Sequence, residues 1–151
     1  MVDIHSLVQQ LLQPGVRKSV GVWFFPLEYL GQEEDIAWRL GLQPLDARGA
    51  FLERLPEGAT HSGLRTRYAH EKLFEFITAL GDEICNRNCL LLYTFDLLLL
   101  ALEVDAREQF WKATLKLPYL RTKLIIALPE NARFLLSATA EFVSQIAVGS
   151  L

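Results

Sequence analysis

The chain has few of the features that mark secreted, metal-binding or membrane proteins. Its only cysteines are Cys85 and Cys89, and no further Cys or His lies at the spacing of a zinc site. The N-terminal residues lack the basic and apolar regions of a signal peptide. The longest apolar region, Leu90–Leu102, is shorter than the roughly 18–20 residues that span a bilayer. We therefore expect a reduced, cytoplasmic protein with no metal and no membrane association.

Neither sign of charge dominates the composition. The formal net charge of the 151 residues is -3 at pH 7, so no overall attraction to nucleic acid is expected. Hydrophobic residues make up 51% of the chain, which argues against disorder and is rich for a soluble monomer. No linker or repeat divides residues 1–151, so we expect a single domain. Part of its apolar surface is expected to cover a protein partner or a second copy.

Three apolar runs separated by helical patterns indicate the fold class. They are Ser19–Phe25, Cys89–Phe95 and Thr122–Leu128, with a shorter strand predicted at Leu42–Asp46. Helices are predicted at residues 3–13, 33–40, 47–55, 66–84, 106–117 and 132–148. Because parallel strands need long crossovers, this order predicts an α/β fold with a mostly parallel sheet and helices on both faces. All three tryptophans are predicted to be buried, namely Trp23, Trp38 and Trp111.

Motifs of common catalytic and nucleotide-binding sites are absent. The chain contains neither Gly-x-x-x-x-Gly-Lys-Ser/Thr nor Gly-x-Ser-x-Gly. The loop after the first predicted strand, residues 26–35, has one glycine, four acids and no base. Such a loop lacks the converging N–H groups and the lysine that bind phosphate. We therefore expect no ATP binding, no cofactor and no catalytic residue.

Asp96 is the acid that a buried strand would carry to the carboxyl edge of the sheet. One interpretation is a metal ligand, although no second acid adjoins it in sequence. The other is a structural residue that caps a helix beginning at Leu97, and this interpretation is favoured. A hydrolase that uses Asp96 together with a distant acid is a third, weaker hypothesis.

Basic residues in the middle of the chain provide an alternative function. A solvated helix face is the simpler interpretation, but a basic face that binds nucleic acid or a nucleotide is a second hypothesis. Its members would be Arg48, Arg54, Arg65, Arg67 and Lys72.

The C-terminal segment carries the predicted protein interface. As a helix over residues 132–148 it would be apolar on more than one face, and one sheet covers only one side of a helix. The predicted interface residues are Phe134, Leu135, Phe142, Val143 and Ile146.

The order of parts resembles a RecA-like P-loop domain whose phosphate loop has decayed. Ser19–Phe25 matches the first strand of that fold, and Asp96 and Asn131 match the polar positions after its acid-bearing strand and the next one. The layout is also similar to SulA-type cell-division inhibitors, which bind a partner. Segments such as LGLQPLDARGAFLERLP and LPYLRTKLIIALPE resemble small accessory proteins of bacteriophage-exclusion (BREX) defence systems. The resemblance implies a pseudo-ATPase that acts by protein–protein contact in a bacterial assembly.

Overall fold

Five parallel strands form one sheet in the computed structural model, which describes residues 1–54, 69–83, 85–137 and 140–151. The strands lie in the order β2-β3-β4-β1-β5, and every neighbouring pair is parallel. Their bounds are β1 (Val20–Phe25), β2 (Gln43–Asp46), β3 (Cys89–Tyr93), β4 (Lys123–Pro129) and β5 (Ile146–Val148). The predicted fold class, an α/β fold with a parallel sheet, is confirmed.

Helices cover both faces of the sheet, as expected. The α-helices are α1 (Ile4–Leu12), α2 (Glu33–Arg39), α3 (Ala47–Glu53), α4 (Ala69–Asp82), α5 (Phe95–Leu100) and α6 (Val104–Thr114). Buried residues of α1 and α2 pack with Trp23, Leu91 and Ile125 on one face. Buried residues of α3 to α6 pack with Val22 and Ile126 on the other. Because β1 and β4 are covered on both sides, all their residues are buried, which explains their continuous apolar sequences.

The order of the strands defines where the connections change direction. The crossover from β1 to β2 passes α2 on the first face, whereas the crossovers from β2 to β3 and from β3 to β4 pass α3 to α6 on the second. The connection from β4 then leads past β1 to β5. The connections that leave the neighbouring strands β1 and β4 therefore lead to opposite edges of the sheet. In open α/β sheets, ligands bind beside the carboxyl ends of strands at such a reversal.

The C-terminal helix predicted over residues 132–148 is wrong. Two 3₁₀ segments, Glu130–Leu135 and Ala140–Gln145, precede the short strand β5. The first segment has non-helical dihedral angles at Ala132 (φ -101, ψ 20), which break any regular α-helix. Sequence periodicity is misleading here because Leu135, Phe142 and Ile146 pack in the chain's own core, and β5 pairs with the otherwise open edge of β1.

The predicted interface residues do not share one exposed surface. Leu135, Phe142 and Ile146 are buried against the chain's own core. Phe134 and Val143 remain exposed, at 68% and 42% of their surface. Phe134 follows the carboxyl end of β4, whereas Val143 precedes the start of β5. An interface through one continuous C-terminal helix is therefore excluded, because three of its five residues already pack within the domain.

Candidate functional site

The carboxyl edge is the surface formed by the segments that follow the carboxyl ends of β1 to β4, and it includes the predicted candidates Arg48, Asp96 and Asn131. Tyr93 ends β3 and donates a hydrogen bond of 2.7 Å to the Glu34 carboxylate of α2. Burial raises the pKa of the Tyr93 hydroxyl, and the hydrogen bond to Glu34 and its charge raise it further. Tyr93 therefore stays protonated and joins the end of β3 to α2.

Thr94 links the same edge to β2. Its hydroxyl donates a 2.5 Å hydrogen bond to the Asp46 carboxylate and accepts one of 3.0 Å from the backbone N–H of Arg48. Its backbone is left-handed (φ 60, ψ 10), a conformation that costs free energy for a residue with a β-branched side chain. The two hydrogen bonds hold Thr94 in this conformation. Asp46 thus serves as a structural acceptor that also caps α3 through the backbone N–H of Gly49.

Asp96 lies in the first turn of α5 and does not cap it. β3 ends at Tyr93, the helix begins at Phe95, and Thr94 occupies the N-cap position. The capping interpretation of Asp96 is therefore wrong by two residues. The left-handed Thr94 starts the helix before Asp96, which the sequence pattern does not reveal.

The Asp96 carboxyl group is half-buried, and its pKa is raised above the ordinary value. Burial is the main cause, and the nearby charge of Glu33 adds to it, while the backbone N–H groups of Asp96 and Leu97 oppose the shift. Within the described ranges, no three His, Cys, Asp or Glu side chains are grouped closely enough to bind a metal ion.

We predict that Asp96→Asn raises the midpoint of thermal unfolding at pH 7. Because the folded-state pKa of Asp96 lies above its ordinary 3.8, the folded protein binds this proton more tightly than the unfolded chain does. The ionised carboxylate therefore costs stability at neutral pH. The difference between variant and wild type should shrink as the pH falls through the raised pKa towards 3.8, where wild-type Asp96 is also neutral.

Asp105 provides the matched control for this substitution. It occupies the corresponding position in the first turn of α6, but it is exposed. Asp105→Asn should leave the midpoint unchanged or lower it slightly, since an exposed acid near a helix N-terminus is favourable. Melting curves at several pH values between 3 and 7 provide the test. A lower midpoint for Asp96→Asn at pH 7 would contradict the prediction.

Asn131 and the predicted basic face show no assembled site. Asn131 is exposed in the 3₁₀ segment after β4, and it makes no hydrogen bond to Asp96. Arg54 pairs with Glu83 at 2.8 Å and packs over the Phe76 ring. Arg48 lies in the first turn of α3 near the carboxyl edge, about 9 Å along the helix from Arg54, from the rise per residue of an α-helix. Lys72 is exposed on α4, and Arg65 and Arg67 lie outside the described residues.

The sequence patterns did not predict the exposed apolar side chains at the carboxyl edge. They follow the carboxyl ends of three different strands and are Leu27, Leu30, Leu97, Leu100 and Phe134. Their signal in the sequence is leucine or phenylalanine in short segments beside acids, directly after a strand. Amphipathic periodicity misses them, because these segments are too short to define a face.

Within the described residues, none of the helices has the length and apolar character that a bilayer-spanning helix requires. Comparisons with models of protein families, with curated proteins and with solved structures returned no match.

Proposed function

We propose that this chain is a non-catalytic, RecA-like α/β domain that acts by protein–protein contact, as a subunit or regulator of a larger bacterial assembly such as a phage-defence system. The proposal rests mainly on the chemistry of the side chains at the carboxyl edge. There, acidic side chains bind the chain's own backbone and hydroxyl groups, and large apolar side chains face solvent.

The loop after β1 supports a role without nucleotide. In this loop the backbone N–H of Gly31 donates a 2.9 Å hydrogen bond to the Glu33 carboxylate. A phosphate-binding loop would leave such N–H groups for the ligand. The exposed acids Glu28, Glu34 and Asp35 lie beside it and repel a polyphosphate. These features favour a pseudo-ATPase over an ATPase.

The apolar side chains of the carboxyl edge favour a protein partner. Leu27 and Leu30 follow β1, Leu97 and Leu100 follow β3, and Phe134 follows β4. Because parallel strands end at one edge, these five side chains lie at the same end of the sheet. Exposed apolar side chains rimmed by charged ones are typical of protein-binding surfaces. The acids around them favour a partner surface with apolar residues and basic groups.

The proposal includes a cytoplasmic location, and the two free thiols of the chain support it. Cys85 and Cys89 are both buried and form no disulfide. Burial raises the pKa of the Cys89 thiol to about 12, so it stays protonated and unreactive at neutral pH. Cys85 donates to the side-chain carbonyl of Gln43 on β2. Both cysteines thus act as small core residues.

Co-purification with the products of neighbouring genes tests the proposal. We expect a tagged wild-type chain to form a stoichiometric complex with one of these proteins, and the double variant Leu30→Glu/Leu97→Glu to lose it. The added charges cannot be desolvated against an apolar partner surface, so at least a tenfold loss of affinity is expected. Size-exclusion chromatography with light scattering measures the complex.

Two single variants act as controls. Leu12→Glu changes an exposed leucine at the end of α1, and Val143→Glu changes the exposed valine before β5, both away from the carboxyl edge. Both should keep the complex. Loss of the complex in Val143→Glu, with retention in the double variant, would place the interface on the C-terminal segment. A wild-type chain that is monomeric and binds none of these proteins would refute the proposal.

A further inference from the structure

A cleft of about 640 Å³ lies at the opposite end of the sheet from the carboxyl edge. One wall is the turn that follows α1, residues 13–17, and the other is the approach to β4, residues 119–123. Asn88, just before β3, completes the lining. The side chains with recognition chemistry are Arg17, Asn88, Tyr119, Arg121 and Lys123. Because they precede these strands or, in the case of Lys123, begin one, they lie at the amino ends of β1, β3 and β4, here called the amino edge.

Lys123 is the most unusual residue of this cleft. Only 8% of its surface is exposed, and within the described residues no carboxylate pairs with its ammonium group. The Nζ atom donates to the Lys18 carbonyl and the Ser19 hydroxyl, each at 3.2 Å, and lies 5.0 Å from the centre of the Tyr119 ring. Burial lowers the pKa of this lysine. An anion in the cleft would supply the missing countercharge.

The wall that carries Tyr119 and Arg121 is held in place by Ser19. The Ser19 hydroxyl is fully buried and donates to the Pro118 carbonyl at 2.7 Å. It also accepts a 2.8 Å hydrogen bond from the backbone N–H of Leu120. These bonds join the start of β1 to a turn about a hundred residues later in the chain. The cleft is therefore organised before any ligand arrives, which lowers the entropic cost of binding.

The remaining groups of the cleft combine positive charge with an open aromatic face. Arg17 and Arg121 are exposed, and neither pairs with a carboxylate in the described part of the chain. The Tyr119 side chain is 70% exposed, although an aromatic ring normally packs against other apolar groups. Cations beside an exposed aromatic ring are what proteins use to bind single-stranded nucleic acid, with phosphates on the cations and a base stacked on the ring.

We propose that this cleft binds single-stranded nucleic acid, with backbone phosphates held by Arg17, Arg121 and Lys123 and one unpaired base stacked on Tyr119. The inference goes beyond the proposed function, because it uses the opposite end of the sheet from the partner surface. The charge distribution favours it, since acids concentrate at the carboxyl edge and would keep a polyanion away from that end. A duplex fits less well, because its stacked bases offer no free face to Tyr119.

Fluorescence anisotropy with a labelled 15-nucleotide oligothymidine tests the proposal. Three phosphate contacts predict that the logarithm of the association constant falls with the logarithm of salt concentration with a slope of about -2. Arg121→Gln should reduce the magnitude of that slope by about 0.7. Tyr119→Ala should weaken binding roughly 5- to 150-fold, the usual cost of one lost stacking contact. Lys112→Gln, an exposed charge on α6, should leave binding unchanged.

The variant Lys123→Met and three further ligands distinguish a site for single-stranded nucleic acid from a site that binds any polyanion. Lys123→Met should abolish most of the binding while its melting midpoint stays at or above that of wild type, since a buried ammonium group without a carboxylate partner is removed. An abasic strand of the same length should bind wild type as weakly as oligothymidine binds Tyr119→Ala. Equal affinity for the abasic strand, a duplex or a polyglutamate peptide would overturn the proposal. No binding at 50 mM salt would also overturn it, whatever the result for the protein partner.

Discussion

Trp23→Ala is expected to lower the free energy of unfolding by about 3–5 kcal/mol, the usual cost of truncating a buried tryptophan. Trp23 lies in the middle of β1 with 1% of its surface exposed. Its ring packs near Phe25 and Tyr29, and its indole N–H donates a 2.9 Å hydrogen bond to the Gly149 carbonyl. The substitution leaves a cavity on the face covered by α1 and α2 and leaves that carbonyl without its partner.

Trp38→Ala is the matched control, because the same side chain is removed from a different environment. Trp38 lies on α2 with 48% of its surface exposed and the Arg87 guanidinium over its ring, so the prediction that it is buried is wrong. Its loss should cost less than about 1 kcal/mol, in line with an exposed cation–π contact. Urea denaturation followed by circular dichroism measures both variants. Equal losses for the two tryptophans would contradict the assignment of Trp23 to the core.

Ile126→Ala is expected to cost about 2–5 kcal/mol, a large share of the roughly 5–15 kcal/mol by which a domain is usually stable. Ile126 is fully buried in β4, with Val22 of β1 on one side and Leu92 of β3 on the other. It packs in the larger core, under the helices α3 to α6.

A graded series distinguishes a packing effect from a general loss of folding. Ile126→Val removes one methylene and should cost only about 0.5–1.5 kcal/mol. Both variants should keep the urea m-value of wild type, because the same surface is exposed on unfolding. A wild-type midpoint for Ile126→Ala would mean that β4 is not the central strand.

The sequence predicts four of the five strands, including the edge strand β2, and misses β5 at the other edge. β1, β3 and β4 are long apolar runs because both faces of the sheet are covered, and this pattern depends only on neighbouring residues. β5 has three residues, and its partner in the sheet lies more than a hundred positions earlier. Local periodicity carries no information about such a partner, so the sequence pattern of this segment predicts a helix instead of a strand.

The two ends of the sheet differ in how much the sequence could predict about them. The acidic loop after β1 and the region of Asp96 are predictable from the sequence, because those positions follow long apolar strands. The cleft at the amino edge was missed, since its assembly depends on hydrogen bonds between Ser19 and a turn around residue 120. Its only local signal is the Arg-Thr-Lys sequence at residues 121–123 beside an exposed tyrosine.

The position of β1 has a consequence for the way the chain folds as it is synthesised. β1 is synthesised about a hundred residues before β4 and further ahead of β5, and these two strands are its partners in the sheet. At about 5–20 residues per second, β1 waits roughly 5–20 seconds for β4 to appear. During that time the segment VGVWFF has two unpaired hydrogen-bonding edges, because neither of its partner strands has been made. The nascent protein should therefore depend on chaperones, and slow, non-local pairing should limit its refolding rate.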